Sequence, residues 1–597
     1  MPRTPARTAS PTRRRARGPA ALTAAVAAVG LAAPGAHAWS PAGVVDDPVT
    51  VVADDARISL EPLGSYATGV FDESAAEIVA YHARSERLFS VNARAAEVTA
   101  LDVSDPGAPR RLFAVQTAGL RAADGSRIPA GAVANSVAVR ADGLGVVAVE
   151  SDVKTDAGWL VLFDAAGDGS ALAAVRVGAL PDMVTVAPDG RTAVVANEGE
   201  PADDFSVDPE GSVSVVDLPR RLTGKHSAIT QEDVRTAGFH AFEGDALPDG
   251  VRVTGPDVAD ASGSSAFRVS RNLEPEYVTV PKGSRTAYVT LQEANAVAVV
   301  DLRSATVTDV LPLGTKDHSL PGQGLDPSDE DGAADVRELP VRGLYMPDGV
   351  ASYTSRGETY LVTANEGDAR EWGDYEDAAR VKDLGDDGLA PVCDDSPAAG
   401  LLDDADLGRL DVSVEDGLRP DGSCYGELYA FGARSFSVWT TDGEQVFDSG
   451  DDFERVTADA LGDAFNTDHS ETSFEGRSDN KGPEPEAVTV GKVAGRTYAF
   501  VGLERASGIM VYDVTVPAES SFVTYVSNRD YSVSVEDAVD DGADPASTLA
   551  SAGDLGPEGM AFVPAGASPT HRPVLAVANE VSGTTTLFEV DRLTGRR

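Results

Sequence analysis

LPDMVTVAPDGRTAVVANEGEP, Leu180 to Pro201, followed by GSVSVVDL, Gly211 to Leu218, is read as three short strands joined by turns. Met183 to Ala187 is a short apolar run. Pro188-Asp189-Gly190 is a turn, because proline and glycine supply the backbone angles that a reversal needs. Thr192 to Ala196 is a second apolar run, and after a polar loop Ser212 to Val216 alternates and stops at Asp217. Strand-length runs bounded by turn residues, with no helical period, point to antiparallel sheet.

The unit recurs along the chain. LEPEYVTVPKGSRTAYVTLQEANAVAVVDL runs from Leu273 to Leu302, PEPEAVTVGKVAGRTYAFVGLERASGIMVYDV from Pro483 to Val514, and GPEGMAFVPAGASPTHRPVLAVANEVSGTTTLFEV from Gly556 to Val590. A fifth copy opens at Met346 (MPDGVASYTSRGETYLVTANEGDAREW), with its third strand expected near Ser435 to Trp439. Weaker copies start near Glu77 and Ala134, which makes seven. Repeated short strands predict an all-β, seven-bladed β-propeller. The last copy has three strands and little chain after them, so Arg57 to Thr68 is expected to supply its outer strand and close the ring. The surplus chain falls in four insertions, 219–272, 313–345, 371–427 and 448–482, and long loops on a rigid scaffold are where function usually sits.

The ends read differently. Six arginines (Arg3, Arg7, Arg13, Arg14, Arg15, Arg17) precede the apolar run Ala20 to Pro34 and the small-residue site Ala36-His37-Ala38. That is the pattern of a signal peptide over residues 1–38, cleaved near Ala38, and it predicts a secreted protein. Residues 39–56 are expected to be a linker, 57–591 the propeller, and 592–597 a polar tail without a hydrophobic anchor. Loss of the six arginines would move the formal charge from −47 to −53. So acidic a chain repels nucleic acid and attracts cations. Cys393 and Cys424, an even pair in an oxidising compartment, are expected to form a disulfide in the third insertion.

Aligning the copies shows that part of the acidity is periodic. A polar residue precedes each innermost strand: Glu77, Asn135, Asp182, Glu276, Asp348, Glu486 and Glu558. A glutamate ends the second strand in six copies: Glu150, Glu198, Glu293, Glu366, Glu504 and Glu580. Strand one leaves a face of the disc and strand two returns to it, so both sets are expected at one mouth of the central channel. Converging carboxylates must bind cations, pair with Arg or Lys, accept backbone N–H groups, or stay protonated. In and beside the insertions stand Asp326, Asp329 and Asp331 in GLDPSDEDGA, Asp368 and Asp374 in ANEGDAREWGDYED, and Asn466, Asp468, Asp479, Asn480, Glu484 and Glu486 in NTDHSETSFEGRSDNKGPEPE. Calcium takes six to eight oxygens in irregular geometry and suits such a set. Of the histidines only His318 is singled out, and none has zinc-motif spacing. No nucleophile elbow, H-E-x-x-H motif or P-loop is present.

PDMVTVAPDGRTAVVANEGEP, KDHSLPGQGLDPSDEDG, YMPDGVASY with YLVTANEGDAREW, RSDNKGPEPEAV, and LGPEGMAFVP with ANEVSGTTTLFEV resemble the choice-of-anchor I domain, which is similar to mesenchyme-specific cell-surface glycoproteins. The resemblance runs from about Glu77 to Val590. It implies an exported propeller presented at or outside the cell surface and carries no family catalytic motif. The expected function is therefore a calcium-binding extracellular interaction module. Its partners would be divalent cations and an extracellular protein, glycan or mineral surface. The alternative is a calcium-dependent phosphoester hydrolase of the alkaline phosphatase or phytase-like type.

Overall fold

Two apolar runs separated by a Pro-Asp-Gly turn fold back on each other in the computed structural model, which describes residues 43–222, 229–257 and 266–593. The expected signal peptide and its cleavage site lie outside the described residues. In the founding repeat, Pro181–Val186, Thr192–Asn197, Ser212–Asp217 and Val234–Gly238 lie side by side in chain order, every pair antiparallel. Gly190 closes the turn by donating its N–H to Ala187 O at 2.8 Å and holds a φ of 69°, an angle that costs glycine nothing. Val234–Gly238 lies within 219–272, so part of that expected insertion is the outer strand of this sheet.

The same antiparallel order holds in six further sheets. The first is Val79–His82, Arg87–Asn92, Glu97–Asp102 and Arg110–Gln116; the second is Val133–Val139, Leu144–Glu150, Ala157–Asp164 and Ala171–Ala179. The founding repeat is the third. The fourth is Pro275–Thr279, Thr286–Leu291, Ala296–Asp301 and Thr306–Pro312, and the fifth is Val350–Ser355, Glu358–Asn365, Ser435–Thr440 and Gln445–Asp448. The sixth holds Pro485–Val493, Arg496–Leu503, Ile509–Asp513 and Ser521–Ser527. It gains a fifth strand, Val49–Val52, from the expected linker, in register Val49 with Ser527. The seventh takes Pro557–Val563, Val574–Asn579 and Thr584–Arg592 from the C-terminal end and Ile58–Ala67 from the N-terminal end, paired from Ile58 with Arg592 to Ala67 with Thr584. The early segment thus supplies the outer strand that the last repeat lacks.

The sheets stack face to face, the arrangement of a β-propeller. First strands of successive sheets lie against one another, and Pro557–Val563 lies against Val79–His82. Apolar residues fill the gaps between neighbouring sheets. Phe89 meets Phe163 edge-on at 5.4 Å, Phe436 meets Tyr512 at 4.6 Å, and Phe500 stacks on Phe562 at 5.6 Å, the offset and edge contacts that aromatic rings favour. The repeated Ala-Asn-Glu at the end of strand two has a structural half. The buried Asn197 amide donates to Ser212 O and to the Ser214 hydroxyl, both at 3.0 Å, and Asn365 and Asn579 tie their third strands in the same way.

The insertions 313–345 and 371–427 form one satellite layer. Val341–Leu344 pairs in parallel with Leu428–Ala430, which directly follows 371–427, and Ala378–Arg380 pairs with Asp411–Ser413. Leu325, Val341, Leu407, Leu410, Val412 and Tyr425 form its buried core. Cys393 and Cys424 are disulfide-bonded within it. Arg252, from the first insertion, reaches across to Asp377 at 2.6 Å and Asp416 at 2.8 Å.

Candidate functional site

The acids that open the repeats are aimed by the ladder itself. Register slips between Ala134 and Ser136, Pro181 and Val184, Pro275 and Val278, Pro485 and Val488, and Pro557 and Gly559. The slips hold Asn135, Asp182, Glu276, Glu486 and Glu558. A bulge frees a residue from the ladder and re-aims its side chain. Here the side chains reach one cavity of about 960 Å³, together with Glu77 and Asp348 from the remaining sheets. Glu150, Glu198, Glu293, Glu366 and Glu504, from the ends of the second strands, line the same cavity. Glu580 lies beside it and groups with Glu77 and Glu558.

In the fourth sheet the pairing differs from the sequence alignment. Pro275 pairs with Leu291 as Pro181 pairs with Asn197. The position equivalent to Glu198 is therefore Gln292, which donates to Glu366 at 2.9 Å, and Glu293 comes one residue later.

Three carboxylate trios, with no residue in common, have one oxygen from each member within 4.8 Å of the others: Glu198–Glu276–Glu293, Asp348–Glu366–Glu486 and Glu77–Glu558–Glu580. Buried carboxylate oxygens of Glu276, Glu293, Glu486 and Glu558 have no hydrogen-bond partner. Burial pushes Asp182, Glu293 and Glu366 up to about 7. Burial, with repulsion from neighbouring carboxylates, drives Glu77, Glu198, Glu276, Asp348, Glu486 and Glu558 well above the usual carboxylate range. Glu580 rises to about 7 by burial and the Glu504 charge, against the pull of His469 and Arg505. These groups lie deep in the protein and close to one another, and both conditions disfavour a cluster of bare negative charges.

One side of the mouth is neutralised, by residues that repeat reading missed. Lys481 Nζ lies 3.0 Å from Glu366, 3.2 Å from Glu484 and 3.3 Å from Asp368. Arg477 donates to Glu484 at 2.6 Å, and Arg505 lies 3.2 Å from Glu504 and 3.3 Å from Glu484. Burial alone would raise Glu484, but Lys481, Arg477 and Arg505 hold it at about 2. His469 Nδ1 sits 3.0 Å from Glu504. Only Arg505 had a signal in the repeat, standing directly after a strand-two glutamate; Arg477, Lys481 and His469 come from the fourth insertion. That insertion and 371–427 (through Glu371, Trp372, Glu376, Ala378 and Asp411) border the cavity, whereas 313–345 contributes no lining residue.

The GLDPSDEDGA acids stand apart from the cavity and hold different partners. Asp329 forms a two-pronged pair with Arg409 at 2.7 and 2.8 Å. Asp331 accepts the Ala333 N–H at 2.9 Å, and fully buried Asp326 accepts the Ser478 hydroxyl at 3.2 Å. Among the described residues no trio of ligand atoms includes any of them. Asp368 lines the cavity beside Lys481. Asp479 faces Arg380 and Arg409, and Asn480 donates to Asp411 at 2.8 Å. Asp468 neighbours His469 and Arg505. His318 is buried away from the mouth, its Nδ1 2.6 Å from Gln323 O, and burial with the nearby Lys316 charge lowers its pKa well below the usual range.

Three comparisons place the chain among known proteins. The family model of the choice-of-anchor I domain matches residues 77–517. A mesenchyme-specific cell surface glycoprotein of Strongylocentrotus purpuratus is 30% identical over 319 residues, 47% of this chain and 40% of its own. Gigasin-3a of Magallana gigas is 31% identical over 196 residues, 31% of this chain and 66% of its own. The chain thus spans less than two thirds of the length of either relative. Among solved structures, Kuenenia stuttgartiensis hydrazine synthase aligns at a TM-score of 0.40 and 14% identity, covering 89% of this chain and 99% of that one. The Myceliophteria thermophila Cps50 (Swd1) β-propeller domain aligns at 0.38 and 8%, covering 90% and 100%. Among the described residues no helix is long and apolar enough to cross a membrane.

Proposed function

This chain belongs to the choice-of-anchor I family, and on that premise we propose that it is an extracellular or cell-surface binding module that takes calcium at its acid-lined mouth. The fold is read as a seven-bladed propeller over residues 57–591, locked by Ile58–Ala67 in the last blade. In support, the first strands follow one another around to Val79–His82, and the pairing of Ile58–Ala67 with Thr584–Arg592 joins the two ends of the chain. Similarity to a cell surface glycoprotein supports the location.

The observation that carries the ligand is the set of unpartnered buried carboxylate oxygens of Glu276, Glu293, Glu486 and Glu558 at one cavity. An isolated buried carboxylate is costly, and a hard cation with an all-oxygen shell removes the cost. Two of the three trios offer oxygen alone and carry no ion pair among the described residues, which suits calcium better than the nitrogen and sulfur shells of zinc.

The test is to strip the protein with chelator and follow thermal unfolding as calcium is added. A ligand of the native state must raise the midpoint, and an unchanged midpoint at millimolar calcium would overturn the proposal. Phosphate release from a generic ester by the calcium-loaded protein, lost in Glu486→Gln and Glu558→Gln, would favour the hydrolase instead.

A further inference from the structure

Resting on the calcium reading, we infer that the mouth divides its positive charge between an ion and a built-in lysine. The Glu198–Glu276–Glu293 trio is a divalent-cation site, whereas the Asp348–Glu366–Glu486 trio already receives a positive charge from Lys481 through Glu366.

The first trio joins the third and fourth sheets. Its three oxygens lie within 4.8 Å of one another, and ligands 2.3–2.6 Å from one calcium on opposite sides stand about that far apart. Glu276 and Glu293 are each 7% exposed, line the cavity, and each present an Oε2 with no partner. None of the three acids is ion-paired among the described residues. Nearby Arg370 gives one nitrogen to Glu274 at 2.5 Å, while its Nε and Nη1 are buried without a partner; its charge is felt at Glu293 but it forms no ion pair with the trio. Three carboxylates so placed need a compensating charge, and among the described residues no cationic side chain lies within ion-pair distance of them. Three residues do not fill six to eight coordination positions. The remaining positions face the cavity, open to water or to an oxygen of a bound molecule.

The second trio has the same geometry and a different solution. Lys481 is 11% exposed, and its ammonium lies 3.0, 3.2 and 3.3 Å from Glu366, Glu484 and Asp368. An ammonium has three donors, and all three are committed. Two of its three partners, Glu484 and Asp368, lie outside the trio, so Lys481 brings one fixed positive charge to the trio through Glu366.

Terbium, a luminescent calcium substitute, is the probe. Tyr277 follows Glu276 and lines the same cavity, so it serves as the sensitiser. Titrations of the full mature chain with terbium and with calcium are compared among wild type, Glu276→Gln, Glu293→Gln, Lys481→Met, Lys481→Arg and the exposed control Glu61→Gln. Glu276→Gln and Glu293→Gln should weaken the tyrosine-sensitised site by about tenfold or more, since affinity follows the ligand charge count. Lys481→Met should bind one additional calcium per chain and unfold more easily without it, while Lys481→Arg and Glu61→Gln keep the wild-type count. Wild-type affinity and count in both glutamine variants would overturn the trio assignment but leave the calcium reading standing. No additional ion in folded Lys481→Met would overturn the lysine assignment. No binding of either ion by the wild type would overturn the calcium reading itself.

Discussion

Replacing Glu293 by glutamine should make the calcium-free protein more stable at alkaline pH and remove part of its pH dependence. Burial, with Asp368 and Glu200 adding to it and Arg370 opposing, lifts Glu293 from an ordinary 4.5 up to about 7. The folded protein therefore holds this proton more tightly than the unfolded chain does. The resulting stabilisation is complete below pH 4.5 and is lost as pH rises through about 7, the reverse of a salt-bridged carboxylate. A gap of about 2.5 pH units at 1.36 kcal/mol each amounts to about 3 kcal/mol between pH 4 and pH 9. Unfolding entropy for a chain of this length is about 1.2 kcal/mol per kelvin, so the melting point should fall by about 2–3 °C more in the wild type than in Glu293→Gln over that range. The assay is differential scanning calorimetry in chelator at matched ionic strength. Saturating calcium, at about 100 times its Kd, returns about 2.7 kcal/mol and should largely cancel the wild-type loss. Parallel pH profiles of wild type and variant in chelator would show that Glu293 is not held protonated, and the electrostatic account of the mouth would fail.

Further outcomes follow from other parts of the fold. Arg434→Met leaves Glu454 buried and unpaired and removes donors to Asp326 O, Ser478 O and Asn480 O; breaking such a pair costs about 3–5 kcal/mol, which calorimetry would register. Cys393→Ser with Cys424→Ser opens a loop of 31 residues and on the chain-entropy model costs about 3–4 kcal/mol. The loss should appear as faster proteolysis within 371–427, with the calcium response of the mouth unchanged. Starting the chain at Thr68 strips Ile58–Ala67 from the seventh sheet and exposes Thr584–Arg592 as an unpaired edge. Such edges recruit other chains, so size-exclusion should show association; a monomer with an unchanged melting point would refute closure by that strand.

Much of this molecule was legible in one dimension. Strand spacing, turn residues and the recurrence of a unit within about forty positions are local properties, and they were enough to place seven sheets and to assign the early strand to the last one. The two acidic positions were legible for the same reason. A residue at the start of strand one and a residue at the end of strand two must meet on one face whatever else the chain does. The register was less secure: Glu293 was aligned with Glu198, whereas pairing of Pro275 with Leu291 gives that position to Gln292. A slip of one residue leaves the composition of a repeat unchanged. The stretch 39–56 read as a linker because the strand that Val49–Val52 pairs with, Ser521–Ser527, lies at the other end of the sequence.

What repetition could not supply was the pairing of charge with charge. Asp329 looked like a calcium ligand from its neighbours in sequence, but Arg409 lies beside it in space. His318 looked distinctive and is a buried residue hydrogen-bonded to Gln323, while His469 stands among the acids of the mouth. Lys481 lies 115 positions from Glu366, and no periodicity connects them. Hydrophobic alternation and turn chemistry act between near neighbours, so they can be read along the chain. Which carboxylates keep a counter-charge and which are left bare depends on where the long insertions fold back over the disc, and tertiary packing alone settles that.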